Sequence, residues 1–239
     1  MSNVGMRNMR WCEFTSRDAL NRALTDTIAN TLVTAINSKG SASFIISGGN
    51  SPKPIFEQLS AMINVAWNKV TITLSDERWV ETDSIDSNEY LAKTTLLKNA
   101  AVDAHLIGLK TDHDSPEEAM TQCNTNLQNF PLSSDVCLLG MGEDGHTASL
   151  FPHADNLAAA LMPAPQQRCQ AINPQHAPFA RMTLTLPTLL QSKQIILLLT
   201  GEEKHLVYNR ALEKGPVEEF PVRGILHQSQ TPVSVYWSP

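Results

Sequence analysis

The chain has 239 residues, 42% of them hydrophobic, which is enough for one α/β domain built on a sizeable core. Its 18 Lys and Arg stand against 24 Asp and Glu, a formal net charge of -6. That balance excludes a broad nucleic-acid or anionic-membrane surface, since both need clustered cations; a small anion gripped by a few converging cations stays open.

Met1 to Phe14 carries no apolar stretch of the secretory kind, and a cytoplasmic address is expected. From Ser16 to Asn37, Leu20, Leu24, Ile28, Leu32 and Ile36 recur at helical spacing, with Gly40 as the stop. Ala42 to Ile46 reads as a buried strand running into Ser47-Gly48-Gly49, and Pro52 opens a helix with Ile55, Phe56, Leu59 and Ile63 on one face. Val70 to Leu74 is a second strand, ending in Asp76-Glu77-Arg78. A helix over Asn88 to Leu97, a strand over His105 to Leu109 and a helix over Ser115 to Phe130 follow. Asp135 to Leu139 is a strand leading into Gly140-Met141-Gly142. Arg168 to Asn173, Arg181 to Leu186 and Gln194 to Thr200 are further strands, Glu202 to Leu212 is a helix and Val233 to Trp237 a last strand. The longest aliphatic run, Ile195 to Leu199, is too short to span a bilayer. Cys12, Cys123, Cys137 and Cys169 form no C-x-x-C pair and read as buried, reduced thiols.

Strands alternating with helices imply a mostly parallel sheet with helices on both faces, as one domain over residues 1–239. In such sheets ligands bind beyond the carboxyl ends of the strands. The polar clusters at 47–51, 75–78, 140–147 and 200–204 all follow strands and should converge there.

Ser47 to Pro52 joins strand to helix. Gly48 and Gly49 let backbone approach a ligand, and the helix start suits phosphate, although a tight turn needs the same glycines. Arg78 can meet an oxyanion or phosphate, and Asp76 can orient a histidine or a hydroxyl; a surface salt-bridge cluster is the plainer alternative. The stretch from Gly140 to Pro152 contains G-x-G-x-x-G, but Glu143 and Asp144 put negative charge where a pyrophosphate would sit. No acidic residue lies between Asp155 and Glu202, where the fingerprint wants one about 20 residues on, so a dinucleotide cofactor is disfavoured. That leaves His146 as a general base, with Asp144 or Glu143 to orient it, or as an ordinary loop histidine. Metal spacing such as H-E-x-x-H and the G-x-S-x-G elbow are both missing from the sequence, and neither a metal nor an acyl-enzyme is expected. Lys204, in the first turn of a helix, opposes the helix dipole unless an anion lies nearby, or pairs with Glu202 or Glu203. Arg17, Arg22, Lys39, Lys98, Lys110 and Lys193 read as ordinary solvated charges.

In this order, Ser47-Gly48-Gly49-x-x-Pro52, Ser75-Asp76-Glu77-Arg78, Ser87-Asn88, Gly140-Met141-Gly142-x-Asp144-Gly145-His146-Thr147-Ala148-Ser149-Leu150-Phe151-Pro152, Arg181-x-Thr183-Leu184-Thr185 and Gly201-x-x-Lys204 resemble the glucosamine-6-phosphate isomerase/6-phosphogluconolactonase family. The resemblance implies a Rossmann-like, NagB/RpiA-like α/β fold. The deaminase branch carries Ala-Phe-Asn-Glu-Pro after the histidine and an aromatic residue after Asp-Glu. Here stand Ala148-Ser149-Leu150-Phe151-Pro152 and Arg78, and both departures favour the lactonase branch. Two other departures are Asn50-Ser51 in the phosphate loop and the segment from Pro221 to Pro239.

The resemblance implies hydrolysis of 6-phospho-D-glucono-1,5-lactone to 6-phospho-D-gluconate, the second step of the oxidative pentose phosphate pathway, without cofactor or metal. Gly48, Gly49, Ser51, Arg181 and Lys204 would hold the phosphate. His146 would activate water, oriented by Asp76 or Asp144. Arg78 and the loop around Gly142 and Gly145 would face the reacting end. The implied partner is a small phosphorylated sugar lactone, with no nucleic acid or membrane, in a monomer or small homo-oligomer. The alternatives are a sugar-phosphate deaminase or isomerase and a non-catalytic sugar-phosphate-binding protein.

Overall fold

The computed structural model describes residues 8–239, so the leader reading at the N-terminus falls partly outside the described residues. In chain order the elements are β1 (Met9–Glu13), α1 (Arg17–Lys39), β2 (Ala42–Ile46), α2 (Lys53–Ser60), β3 (Val70–Leu74), β4 (Asp76–Arg78) and α3 (Asn88–Thr95). Then come β5 (His105–Ile107), α4 (Pro116–Asn126), β6 (Val136–Gly140), α5 (Leu157–Leu161), β7 (Cys169–Ile172) and β8 (Arg181–Leu184). The chain closes with α6 (Leu186–Leu190), β9 (Ile195–Thr200), α7 (Glu202–Leu212), α8 (Arg223–Leu226) and β10 (Val233–Ser238).

Helix α1 forms where the apolar spacing places it. The Ser16 side chain accepts the Ala19 N–H at its start, and Gly40, at φ +83°, returns its N–H to the Ile36 carbonyl at its end. Leu20, Leu24, Ile28 and Leu32 are fully buried on its inner face. Every residue of β2 is buried, as are Val136 to Leu139 and Ile195 to Leu199, so helices cover both faces of these strands.

Seven strands form one parallel sheet in the order β1-β10-β9-β6-β2-β3-β5. From β2 the chain moves outward to β3 and β5, then returns to the other flank of β2 as β6. The strand order therefore reverses between β2 and β6, where a crevice opens beyond the carboxyl ends of the strands. The atypical C-terminal segment supplies α8 and then β10, which fills the place between β1 and β9.

Several expectations are corrected. An N-terminal strand, β1, precedes the first helix and pairs with β10 across more than 200 residues of sequence, a pairing that local pattern does not reveal. Asp76 to Arg78, read as the charged end of the preceding strand, is a short strand of its own, and with β8 and β7 it forms a separate antiparallel sheet in the order β4-β8-β7. The link between β7 and β8 holds no helix, and a parallel crossover needs about a dozen residues or more, so these two strands fold back on each other. Cys123, Cys137 and Cys169 are buried, whereas Cys12 is only half-buried. No helix among the described residues is long and apolar enough to cross a membrane.

At the amino-terminal end of the sheet Asp135 ties three elements together. Its carboxylate accepts the Ser43 N–H at 2.8 Å and the Ser43 hydroxyl at 3.1 Å, and pairs with Lys39 and Lys193 at 2.9 Å each. Those two lysines are thus structural partners and not idle surface charge. Burial alone would raise the Asp135 pKa, but the two ammonium groups and the Ser43 N–H outweigh it and hold it below the ordinary carboxylate value. A depressed carboxylate contributes stability above its unfolded-state pKa and loses it as pH falls through the folded-state value. Asp135→Ala should cost about 2–4 kcal/mol in denaturant unfolding at pH 7. The gap from wild type should narrow in acid, and a gap that does not change with pH would contradict this role.

Candidate active site

A cleft of about 240 Å³ opens where the strand order reverses. Two loops and a helix start build it: Ser47 to Pro52 after β2, Gly140 to Ala148 after β6, and the first turn of α7 after β9, which carries Lys204. Asp76 and Arg78 of β4 and Asn88 at the start of α3 close its remaining side.

His146 is presented by a loop that only glycines permit. A Cβ on Gly142 would come within 2.2 Å of His146 Nδ1 and 2.6 Å of Asp144 Oδ1, so the imidazole and carboxylate pack directly on the backbone there. Gly145 sits at φ +81°, and a Cβ there would meet Phe220 at 2.3 Å. The Gly142 N–H donates to the His146 carbonyl at 2.9 Å, closing the loop. Ala148 holds φ +50°, a conformation costly for a residue with a side chain, and itself lines the cleft. No helix follows until α5, so the G-x-G-x-x-G stretch does not open a helix as a dinucleotide site would.

The imidazole Nδ1 lies 2.6 Å from Asp144 Oδ1, and the same oxygen accepts the His146 N–H at 3.1 Å. Burial would raise the Asp144 pKa, but the imidazole outweighs it and the pKa falls below the ordinary value. An ionised carboxylate only accepts, so Nδ1 donates to it, and whenever the ring is neutral the lone pair lies on Nε2. The ring also packs on Phe151, centroid to centroid 4.3 Å.

Of the three carboxylates expected to orient the histidine, Asp76, Glu143 and Asp144, the one hydrogen-bonded to the imidazole among the described residues is Asp144. Asp76 lines the cleft, but its carboxylate is held by the hydroxyls of Ser75 at 2.8 Å and Ser149 at 2.6 Å, tying the histidine loop to β4. Glu77, which reads in the sequence as part of a surface cluster, is fully buried. It accepts from the N–H groups of Arg78, Asn88 and Glu89 and from the Ser87 hydroxyl, capping α3. Burial pushes it up to about 7 against those four donors.

The expected cations divide. Lys204 lines the cleft, and among the described residues no carboxylate lies within ion-pair distance of it, so the expected alternative of pairing with Glu202 or Glu203 is not seen. Burial lowers its pKa, with Arg17 adding to the effect and Glu143 opposing it. A bound anion would relieve that penalty. Arg78 lines the cleft while one guanidinium nitrogen donates to the Asp86 carbonyl.

Arg181 is not among the residues that line this cleft. It lies opposite Arg78 in the β4–β8 register, donates to the carbonyls of Pro178 and Phe179, and stacks 5.8 Å from the Phe151 ring. Burial and the Arg78 cation push its pKa down to about 10. Gly145 likewise shapes the loop without lining the cleft, whereas Gly48, Gly49, Ser51 and Gly142 do line it.

A second lobe of about 550 Å³ shares Gly142, His146 and Lys204 with the first and extends toward His153 and His176. No group of three or more His, Cys, Asp and Glu among the described residues is arranged to hold a metal ion. Asn88, Met141 and Leu198 line the cleft without having been assigned a role from the sequence. For Asn88 the available signal was its place beside Ser87 in a matching segment.

Residues 15–237 match the family model described as glucosamine-6-phosphate isomerases/6-phosphogluconolactonase. A 6-phosphogluconolactonase of Mesorhizobium japonicum is 39% identical over 96% of this chain and 95% of its own. One of Pseudomonas aeruginosa is 37% identical over 91% of this chain and 90% of its own. The crystal structure of a 6-phosphogluconolactonase from Shewanella baltica, 42% identical, superposes with a TM-score of 0.94 over 98% of this chain and 99% of that one. A monomeric glucosamine-6-phosphate deaminase, 19% identical with a TM-score of 0.79, shares the fold. The chain belongs to the glucosamine-6-phosphate isomerase/6-phosphogluconolactonase family.

Proposed function

We propose that the chain hydrolyses 6-phospho-D-glucono-1,5-lactone to 6-phospho-D-gluconate, the second step of the oxidative pentose phosphate pathway, as one catalytic domain. Its relatives' shared name supports the substrate. The observation that carries the mechanism is that the imidazole bonded through Nδ1 to Asp144 lines the same cleft as Gly48, Gly49, Ser51, Arg78 and Lys204. A cytoplasmic address and a small-molecule partner belong to the same proposal.

The phosphate dianion sits against the loop from Gly48 to Ser51 at the start of α2, where free N–H groups and the helix dipole favour it. Ser51 is joined to Thr200 at 3.4 Å, which links this loop to the turn bearing Lys204. Lys204 supplies the neutralising charge. Arg181 acts from behind, adding positive potential and packing on the Phe151 ring. With the phosphate anchored, C1 of the lactone lies near His146.

His146 Nε2 takes a proton from water as the water oxygen bonds to C1. The carbonyl oxygen becomes an oxyanion facing Arg78 and the Gly142 loop. Collapse of that intermediate breaks the bond from C1 to the ring oxygen, which receives the proton back from His146. Asp144 stabilises the transient imidazolium. A δ-lactone is already electrophilic, so these groups account for the chemistry.

The test is proton release from freshly generated lactone, corrected for spontaneous opening. His146→Ala should lower kcat by roughly 10²–10⁴ with KM little changed. Near-wild-type turnover would overturn the assignment, and ammonia release from glucosamine 6-phosphate would move the chain to the deaminase branch. Lys204→Ala should raise KM for the phosphorylated lactone by roughly 10–100-fold, with little effect on an unphosphorylated one. An equal loss on both would remove Lys204 from the phosphate site.

A further inference from the structure

Asn88 is 4% exposed, yet it lines the cleft. Its backbone N–H is spent on Glu77 Oε1 at 2.7 Å and its side-chain Nδ2 on the Asp76 carbonyl at 2.8 Å. The second bond fixes which end of the amide is which, because a carbonyl only accepts. Oδ1 is thereby directed to the other side, against the Cα of Gly48. A Cβ on Gly48 would come within 1.8 Å of Oδ1, 2.3 Å of Cγ and 2.7 Å of Nδ2. Gly48 is therefore glycine at an ordinary φ for a packing reason: the Asn88 amide lies flat on it.

Among the described residues no donor reaches Asn88 Oδ1. The partnerless polar atoms fully sealed from solvent are Arg168 Nε, Arg223 Nε and Ser238 Oγ; Asn88 Oδ1 is not one of them, so it keeps access to the cleft. The other side-chain acceptor on this wall, the Asp76 carboxylate, already takes two serine hydroxyls. On this wall Asn88 Oδ1 is thus the rigid side-chain acceptor that takes no hydrogen bond from the described residues. An acceptor cannot serve a phosphate, which at neutral pH has little to donate, whereas a sugar hydroxyl can donate to it.

The geometry points to Asn88 Oδ1 as the acceptor for one ring hydroxyl of the phosphorylated lactone, which makes Asn88 a specificity-determining residue. This rests on the lactonase reading and goes beyond it by naming a group that selects a hydroxylated ring. The amide is fixed by the Asp76 carbonyl, Glu77 and Gly48 before any ligand arrives, so an analogue lacking the matching hydroxyl loses a preformed contact and leaves a desolvated acceptor behind.

The experiment compares kcat/KM for 6-phosphogluconolactone with its single-deoxy analogues, each lacking one ring hydroxyl, in wild type and in Asn88→Ala. In wild type one analogue should lose roughly tenfold or more. In Asn88→Ala that discrimination should collapse to within about threefold, while the ratios for the other analogues persist. Thermal melting reports whether the variant is folded. If it is not, the wild-type series still decides, because losses under about threefold for every analogue would overturn the proposal. An unchanged discrimination pattern in a folded variant would also overturn it. Hydrolysis of the parent lactone by wild type with unmoved ratios sinks this inference alone, whereas no hydrolysis at all sinks the lactonase reading and this with it.

Discussion

The hydrogen bond between Asp144 and the Nδ1 of His146 is the contact around which the cleft is organised. The carboxylate, held below its ordinary pKa, accepts from Nδ1 and so directs the opposite nitrogen, Nε2, away from it. The bond exists only because Gly142 has no side chain where the two groups pack and because Gly145 takes up a left-handed conformation. That loop begins at the carboxyl end of β6, beside the point where the strand order reverses. Sheet topology, loop geometry and proton position are therefore one constraint seen at three scales.

An acidic protein must also offer an anion a favourable place. It does so by committing nearby carboxylates to donors and leaving cations without acidic partners. Asp76 is held by two serine hydroxyls, Glu77 by the start of α3 and Asp144 by the imidazole. Lys204 is penalised by burial and by Arg17, with Glu143 offsetting only part of that, and it makes no ion pair among the described residues, so an anion there would be favoured. The net charge of -6 describes the whole chain and says little about this one concavity.

What local pattern determines was legible in the sequence. The strands at β2, β3, β6 and β9 and the helices α1 and α7 follow from apolar runs and spacing, and their succession implies the parallel sheet and its ligand-binding edge. His146, Arg78, Lys204 and the two loop glycines at 48 and 49 were visible as polar interruptions at strand ends. What depends on distant partners was not. The pairing of β1 with β10 and the separate β4-β8-β7 sheet rest on contacts far apart in the chain. The burial of Glu77 against donors 10 to 12 residues further along the chain does as well. Asn88 is the sharpest case: its importance lies in what its amide touches, and those partners are Asp76 and Gly48, 12 and 40 residues away in sequence.

A crystal structure with bound 6-phosphogluconate tests the central claim most directly. The account predicts the phosphate against Gly49, Ser51 and Lys204, and the C1 carboxylate within hydrogen-bond reach of His146 Nε2, with Nδ1 still bonded to Asp144. A phosphate seated against His146, or a ring turned so that Nε2 faces away from C1, would contradict it.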